Sequence, residues 1–186
     1  MLGEGAKDLR LPLSFAVHRG EQNRGGAIHL ANLELHMKVG DYSQKEVVTI
    51  GPAADISEVS RLMRDRHVGF VIVVEQEGVR RVPIGVITDR DVVVQVNARD
   101  VDQHAITVRD VMTRDPLVAQ ESDDFRDLLQ SMRGKGVRRV PVTDVAGSLT
   151  GVIASDDALD AITAMMCELS GSIHQEQRSE RRIRSA

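Results

Sequence analysis

The stretch Val39–Val73 returns as Val108–Val142 without a gap, at a constant offset of 69 positions (39 to 108, 73 to 142). Val39, Asp41, Met63, Arg64, Val68, Val71 and Val73 meet Val108, Asp110, Met132, Arg133, Val137, Val140 and Val142. A glycine-led segment closes each copy: Gly85-Val86-Ile87-Thr88-Asp89-Arg90-Asp91, then Gly151-Val152-Ile153-Ala154-Ser155-Asp156-Asp157. Its offset is 66 (85 to 151), so the first copy carries three extra residues in the loop ahead of it. A duplication constrains the fold more than any local motif. Two copies of a small unit, neither able to bury its apolar face alone, pack on each other and leave paired clefts between them. Gly78–Pro83 also matches Gly136–Pro141 letter for letter, but adopting that register would destroy the longer ungapped match.

The pattern predicts strand–helix–strand–strand–helix twice. In the first copy Val47–Ile50 reads as a strand ended by Gly51-Pro52. Asp55 with Glu58 reads as a helix-opening capping box, followed by an apolar stripe of Ile56, Val59, Leu62 and Met63. Phe70–Val74 is apolar throughout, a strand buried on both faces. Glu75–Gly78 reads as a turn, Val82–Thr88 as a strand and Asp89 to about Ala98 as a helix. The second copy predicts strands at Leu117–Ala119, Val140–Thr143 and Leu149–Ala154, and helices at Asp124–Arg133 and Ser155–Met166. The fold class is α/β of the α+β type. Residues 1–38 match nothing in the second copy and read as a disordered extension, a short docked helix at Ala27–Met37 being the alternative. The first repeat spans 39–101, the second 108–166, with 99–107 as linker and 167–186 as a charged helix or tail.

Composition excludes several functions. A chain of 186 residues with 41% hydrophobic content suits one compact domain of two lobes. The net charge is −4 and both ends are locally basic in balance, so the body between them is more acidic still, repels a phosphate backbone, and nucleic acid is not an expected partner. Phe15, Tyr42, Phe70 and Phe125 are too few rings for base stacking. The lone Cys167 excludes an intramolecular disulfide and reads as a packed small hydrophobe. No apolar run approaches the roughly 20 residues of a membrane span, and Leu11–Val17 is a poor signal peptide, so a cytoplasmic protein is expected. The six histidines form no i, i+4 pair, and neither a P-loop nor a nucleophile elbow is present, so neither a metal centre nor an enzyme is expected.

Chemistry concentrates at Thr88-x-x-Asp91. A strand ends at Thr88 and a helix starts beside it, where free backbone N–H groups favour phosphate oxygens. The Thr88 hydroxyl adds a donor, the Asp91 carboxylate accepts from the paired hydroxyls of a ribose, and Gly85 lets backbone or ligand approach closely. Ile50, Phe70 and Ile72 supply an apolar wall for a base. The alternative is that Thr88 and Asp91 merely cap a helix. Recurrence of the turn in the second copy favours the ligand.

The order of elements, the starts Val39-Gly40-Asp41 and Val108-Arg109-Asp110-Val111-Met112-Thr113, the strand Val140-Pro141-Val142 and the Gly-Val-Ile-Thr-Asp-Arg-Asp segment resemble tandem cystathionine-β-synthase (CBS) domains over about Val39 to Met166. The resemblance implies two βαββα units joined through their sheets about a pseudo-two-fold axis, a Bateman module. It implies clefts for AMP, ADP, ATP or S-adenosylmethionine, no required cofactor, a homodimer, and regulation of another protein. By that resemblance Asp91 is the ribose ligand, Thr88 and Arg90 face phosphate, and Ile50 with Phe70, Val71 and Ile72 walls the adenine, largely through backbone groups. In the second copy Asp157 keeps the ribose role, and Ala154 stands where the family prefers Thr or Ser, so a donor is missing unless Ser155 substitutes. Arg138 and Arg139, ahead of Pro141, sit where nucleotide-binding members place basic residues; exposed arginines on a strand rim are the other reading. One competent cleft at Asp91 and a weaker or vacant one at Asp157 are expected. A ligand-free, dimerising scaffold that docks a partner is the alternative function.

Overall fold

Apolar at every position from Phe70 to Val74, the first repeat's central strand lies inside a four-stranded sheet, with Val71, Ile72 and Val73 fully buried. The computed structural model describes residues 37–184, with side chains through Gly171; of the extension expected over 1–38, residues 1–36 lie outside the described residues, whereas Met37 and Lys38 are docked on the second repeat, where the Met37 carbonyl accepts the Phe125 N–H. In chain order the elements are α1 (Val39–Tyr42), β1 (Thr49–Ile50), α2 (Ile56–Arg66), β2 (Phe70–Glu77), β3 (Arg80–Thr88) and α3 (Asp89–Asp91). The α3 turn continues as a π-helical stretch, Val92–Val96, and a 3-10 turn, Asn97–Arg99. Then come α4 (Val108–Val111), β4 (Thr113–Arg114), β5 (Ala119–Gln120), α5 (Phe125–Lys135), β6 (Arg139–Thr143), β7 (Leu149–Ala154) and α6 (Ser155–Arg184). One sheet has the order β1-β2-β3-β4 and the other β5-β6-β7. In each, a parallel pair (β1 with β2, β5 with β6) is followed by an antiparallel one (β2 with β3, β6 with β7).

The local reasons are those of the sequence. Asp55 caps α2: its Oδ1 accepts the Glu58 N–H at 2.7 Å, and Glu58 Oε2 accepts the Asp55 N–H at 2.9 Å. Asp124, 69 positions on, caps α5 by accepting the N–H groups of Arg126 and Asp127. Both helices end on a left-handed residue, His67 (φ 53°) and Gly136 (φ 65°), whose N–H groups take up the last carbonyls. The two strand prolines sit at an irregularity or a margin of the pairing, and Pro141 lacks the N–H that its equivalent Ile72 donates to Val48 O. Pro83 lies at the Val73/Val74 irregularity, and Pro141 falls one residue before β6 begins to pair with β5.

Several boundaries differ from expectation. β2 runs on to Glu77, so Glu75–Gly78 is mostly strand. Glu75, Gln76 and Glu77 pair across with Val82, Arg81 and Arg80, and the Glu77–Arg80 ion pair (2.7 Å) closes the hairpin at Gly78 (φ 63°). β1 starts at Thr49 rather than Val47, and β5 is Ala119–Gln120 rather than Leu117–Ala119, because only those residues meet a ladder partner. α6 is one helix from Ser155 to Arg184, so of the two readings of the C-terminal segment, helix or tail, the helix is the one present through Arg184. Having outgrown the body, it leaves Cys167 exposed, contrary to the packed thiol expected, together with Leu159, Met166 and Leu169.

One arrangement is absent from any linear reading: the two repeats exchange their leading arms. Val39 is fully buried in the second repeat's core with Phe125, Leu128, Met132, Val140 and Ile153. Val108 and Met112 are buried in the first repeat's core with Ile56, Val59, Val71 and Ile87. The contacts are reciprocal. Val39 N–H bonds Asp123 O and Gly40 N–H bonds Glu121 O, while Val108 N–H bonds Ala54 O and Arg109 N–H bonds Pro52 O, each at the 69-residue offset. Lys38 bridges Asp124 as Thr107 bridges Asp55. Tyr42 tilts against Phe125 with ring centroids 4.9 Å apart. Each core is therefore completed by the other repeat's arm, which couples the halves into one folding unit.

Candidate functional site

The Thr88–Asp91 turn ends β3. The Thr88 N–H (2.9 Å) and hydroxyl (2.7 Å) both donate to Asp91 Oδ2, and the Asp91 N–H donates back to Thr88 Oγ1 at 3.2 Å. The capping geometry is thus present in full. It leaves a remainder: among the described residues Asp91 Oδ1 has no hydrogen-bond partner, and the carboxylate is half-buried and held by two donors from behind. The Thr88 hydroxyl proton is spent on Asp91, so Thr88 orients the acceptor instead of offering its own donor outward.

Phe70 stands directly across the ladder from Thr88. Its ring carries the guanidinium of Arg139 from the other repeat, 5.7 Å from the centroid. Phe70 and Arg139 are themselves equivalents at the 69-residue offset. Two equivalent residues that touch each other must lie at the pseudo-two-fold axis. The axis therefore passes beside the Thr88 corner, and Arg139 brings positive charge across it towards the first repeat's turn. The repeat offset contained this pairing, but only a folded dyad makes it visible.

The turn at Asp157 is related by symmetry and differs in chemistry. The Ala154 N–H donates to Asp157 Oδ2 at 2.8 Å, with no hydroxyl to add a second bond. The remaining oxygen is occupied: Gln44 Nε2 donates to Asp157 Oδ1 at 3.1 Å. Ser155, the expected substitute donor, gives its hydroxyl to Arg138 O at 3.3 Å. Arg138 points along its own repeat to Asp156 (3.6 Å), so the two neighbouring arginines part company.

The other expected residues divide by burial. Ile50 and Phe70 are half-buried and available as a wall. Val71 and Ile72 are fully buried, backbone included, so they back the wall from within and present no surface; the Ile72 N–H is taken by Val48 O. Pro141 is likewise buried in β6, opposite Val152. Arg90 is exposed on the first turn of α3. Gly85 meets a neighbour other than a ligand. A Cβ there would strike Met112 and the Thr113 carbonyl, as a Cβ on Gly151 would strike the Gln44 carbonyl and Ser43. Both glycines admit the exchanged arm, so of the two occupants expected beside Gly85, backbone or ligand, the structure shows the protein's own chain.

A cleft of about 420 Å³ lies elsewhere, lined by Lys38, Gly40, Asp41, Glu121, Ser122, Asp144 and Val145. Gly40 leaves it open. The equivalent place in the first repeat is spanned by Arg109, which occupies the position matching Gly40 and pairs with Glu75 at 2.7 Å. The sequence signal was the mismatch of Gly40 with Arg109 inside an otherwise similar start. Among the described residues no cluster of three metal-ligating side chains occurs, and no helix is long and apolar enough to cross a membrane.

The dyad of half-open, acid-bearing turns has counterparts in known proteins. The family model described as CBS domain matches twice, over residues 39–97 and 108–164. The chain belongs to the CBS-domain family. A relative is the CBS domain-containing protein YhcV of Bacillus subtilis, 32% identical over 134 residues, 72% of this chain and 90% of that one. The uncharacterized protein MK0525 of Methanopyrus kandleri is 29% identical over 123 residues, 66% of this chain and 61% of its own length. The chain thus covers less than two thirds of that relative. Among solved structures, the CBS domain protein PAE2072 from Pyrobaculum aerophilum, complexed with AMP, superposes with TM-score 0.57 at 21% identity, over 65% of this chain and 89% of that one. The CBS domain pair of protein MJ0100, in complex with 5′-methylthioadenosine and S-adenosyl-L-methionine, gives 0.58 at 21%, over 68% and 99%. These two likenesses establish the CBS-pair fold.

Proposed function

We propose that this CBS pair is a non-catalytic regulatory module that binds one adenosine-containing ligand (AMP, ADP, ATP or S-adenosylmethionine) beside Thr88–Asp91 and signals by a change of conformation or assembly. The observation that carries the reading is Asp91 Oδ1, an acceptor without a protein partner on a carboxylate pinned by Thr88, whose ladder partner Phe70 carries the Arg139 guanidinium. A ribose diol supplies the donors that Oδ1 accepts. Ile50 and Phe70 flank an adenine, and Arg139 with Arg90 neutralises a phosphate or a carboxylate. The relatives solved with AMP and with S-adenosyl-L-methionine support the ligand class.

The magnitudes suit a sensor. An adenine burying about 100–150 Å² at about 25 cal/mol per Å² contributes roughly 3 kcal/mol. The diol and anion contacts add about 1.5–3 kcal/mol each. Immobilisation costs several kcal/mol, leaving affinities from about micromolar to sub-millimolar. Regulation then requires only that the ligand prefer one of two states of the protein. Calorimetry with AMP, ATP and S-adenosylmethionine on wild type and Asp91→Ala tests the reading: saturable heat lost in the variant is expected, and no heat with any of the three overturns it.

A second reading, a dimerising scaffold, draws on one observation. Leu159, Ile162 and Met166 recur at i, i+3 and i+7 along α6 and are 64%, 38% and 67% exposed, an apolar stripe on a helix that extends past the family match. Sedimentation equilibrium of wild type against Met166→Glu separates this from the receptor: a dimer that the substitution breaks, with no heat from the nucleotides, favours the scaffold.

A further inference from the structure

The receptor reading leaves the second corner unexplained, and the arm exchange supplies the explanation. We infer that Gln44 is the specificity-determining residue that closes the Asp157 cleft, so that each chain takes one ligand instead of two. The inference rests on the Asp91 reading for what the open corner binds.

Gln44 reaches Asp157 from 113 positions away because the first arm docks on β7. Its backbone is locked on both sides: its N–H donates to Val152 O at 2.8 Å, and its carbonyl accepts the Val152 N–H at 2.9 Å. The absent side chain of Gly151 lets that carbonyl approach. From this fixed base the amide extends to Asp157 Oδ1, the oxygen that corresponds to the open one on Asp91. The Gln44 amide takes one of the two lone pairs of Oδ1 and stands beside the other, so a ribose hydroxyl gains less there than at the open oxygen of Asp91.

The reciprocal position shows what an open corner looks like. Thr113 matches Gln44 at the 69-residue offset and pairs with Val86 as Gln44 pairs with Val152. Its side chain stops two bonds short of the glutamine amide nitrogen, and among the described residues it makes no hydrogen bond to Asp91. Ala154 in place of Thr88 compounds the closure, since only a backbone N–H remains to hold Asp157. Two differences, one on the exchanged arm and one at the end of β7, therefore bear on this corner together, one covering an acceptor oxygen and the other removing a hydroxyl donor behind it.

The test restores the first corner's residues at the second. Calorimetric stoichiometry with AMP and with S-adenosylmethionine is measured for wild type, Gln44→Thr/Ala154→Thr, the same pair with Asp91→Ala, and the same pair with Asp157→Ala. Wild type is expected to take one ligand per chain. The double variant takes two, keeps one with Asp91→Ala and loses the added one with Asp157→Ala. Conversely, Thr113→Gln is expected to weaken the Asp91 cleft about tenfold. Should the double variant unfold, judged by its circular-dichroism melt, Gln44→Ala alone removes the amide and is expected to reveal a weaker second site. Two ligands per wild-type chain, or one in every folded Gln44 variant, overturns the inference and leaves the receptor reading standing. If wild type binds neither ligand the receptor reading fails. A site that then appears in the double variant and vanishes with Asp157→Ala upholds the role of Gln44, and its absence overturns that too.

Discussion

The turns at Asp91 and Asp157 come from one ancestral pattern and share backbone geometry, yet their chemistry has diverged. In each, a carboxylate accepts the N–H at the end of the preceding strand, at 2.9 Å and 2.8 Å. Beyond that bond they part. Asp91 gains a hydroxyl from Thr88 and keeps one oxygen unused; Asp157 gains nothing from Ala154 and lends its second oxygen to Gln44. The difference teaches that a duplicated fold preserves what the backbone needs, the capped strand-to-helix turn, and lets the outward face drift. A capping bond is a requirement of folding, because a helix start without partners leaves buried N–H groups unsatisfied. A ligand contact is under no such constraint.

The exchanged arms offer the strongest way to break the comparison. If the halves are one folding unit, Val39→Ala and Val108→Ala each empty the opposite repeat's core and each cost about 2–3 kcal/mol by lost burial plus cavity. A urea titration followed by circular dichroism is expected to stay a single transition for both variants. Two separated transitions would show that the repeats fold apart. Asp91→Ala against Asp157→Ala comes next: the first is expected to weaken the adenosine ligand tenfold or more, about 1.4 kcal/mol, and the second less than twofold by calorimetry.

Acid should act more gently. The His104 ring beside Asp55, then the Glu58 N–H, hold the Asp55 carboxyl below its ordinary range, with Arg61 adding to the effect. A carboxyl whose folded pKa is depressed adds stability above its unfolded value near about 3.9 and loses it as pH falls through the folded value. The melting temperature of Asp55→Asn is therefore expected to fall less than that of wild type between about pH 5 and pH 2. The smallest effect belongs to Arg138. Its ion pair with Asp156 is long and both side chains are at least three-quarters exposed, so Arg138→Ala should leave the melting temperature within about a degree, being worth at most a few tenths of a kcal/mol. Arg139→Ala, by contrast, should weaken an anionic ligand at the Asp91 cleft, a contrast between adjacent residues that calorimetry can read.

Much of this was written in the chain before any folding. The 69-residue offset supplies the duplication, the period of Ile56, Val59 and Met63 supplies α2, and the Thr88-x-x-Asp91 spacing supplies the corner, because each depends on neighbours in sequence or on backbone hydrogen bonding that one residue type satisfies best. The error at Glu75–Gly78 arose because strand length in a hairpin is set by cross-strand pairs such as Glu77–Arg80, which no local composition reveals. The exposed Cys167 was missed for a related reason: apolar neighbours along a helix report burial only if something packs there.

Tertiary structure alone decided where the arms go, and with them that Gln44 meets Asp157. The order of residues cannot say that Val39 fills a core built around Phe125, that Gln44 reaches Asp157, or that Phe70 and Arg139 face each other at the axis. Those are contacts between segments far apart in the chain, chosen by shape and burial among many combinations. Local spacing wrote two similar turns and one of their differences, Ala154 in the place of Thr88; long-range packing added the other, Gln44 on Asp157.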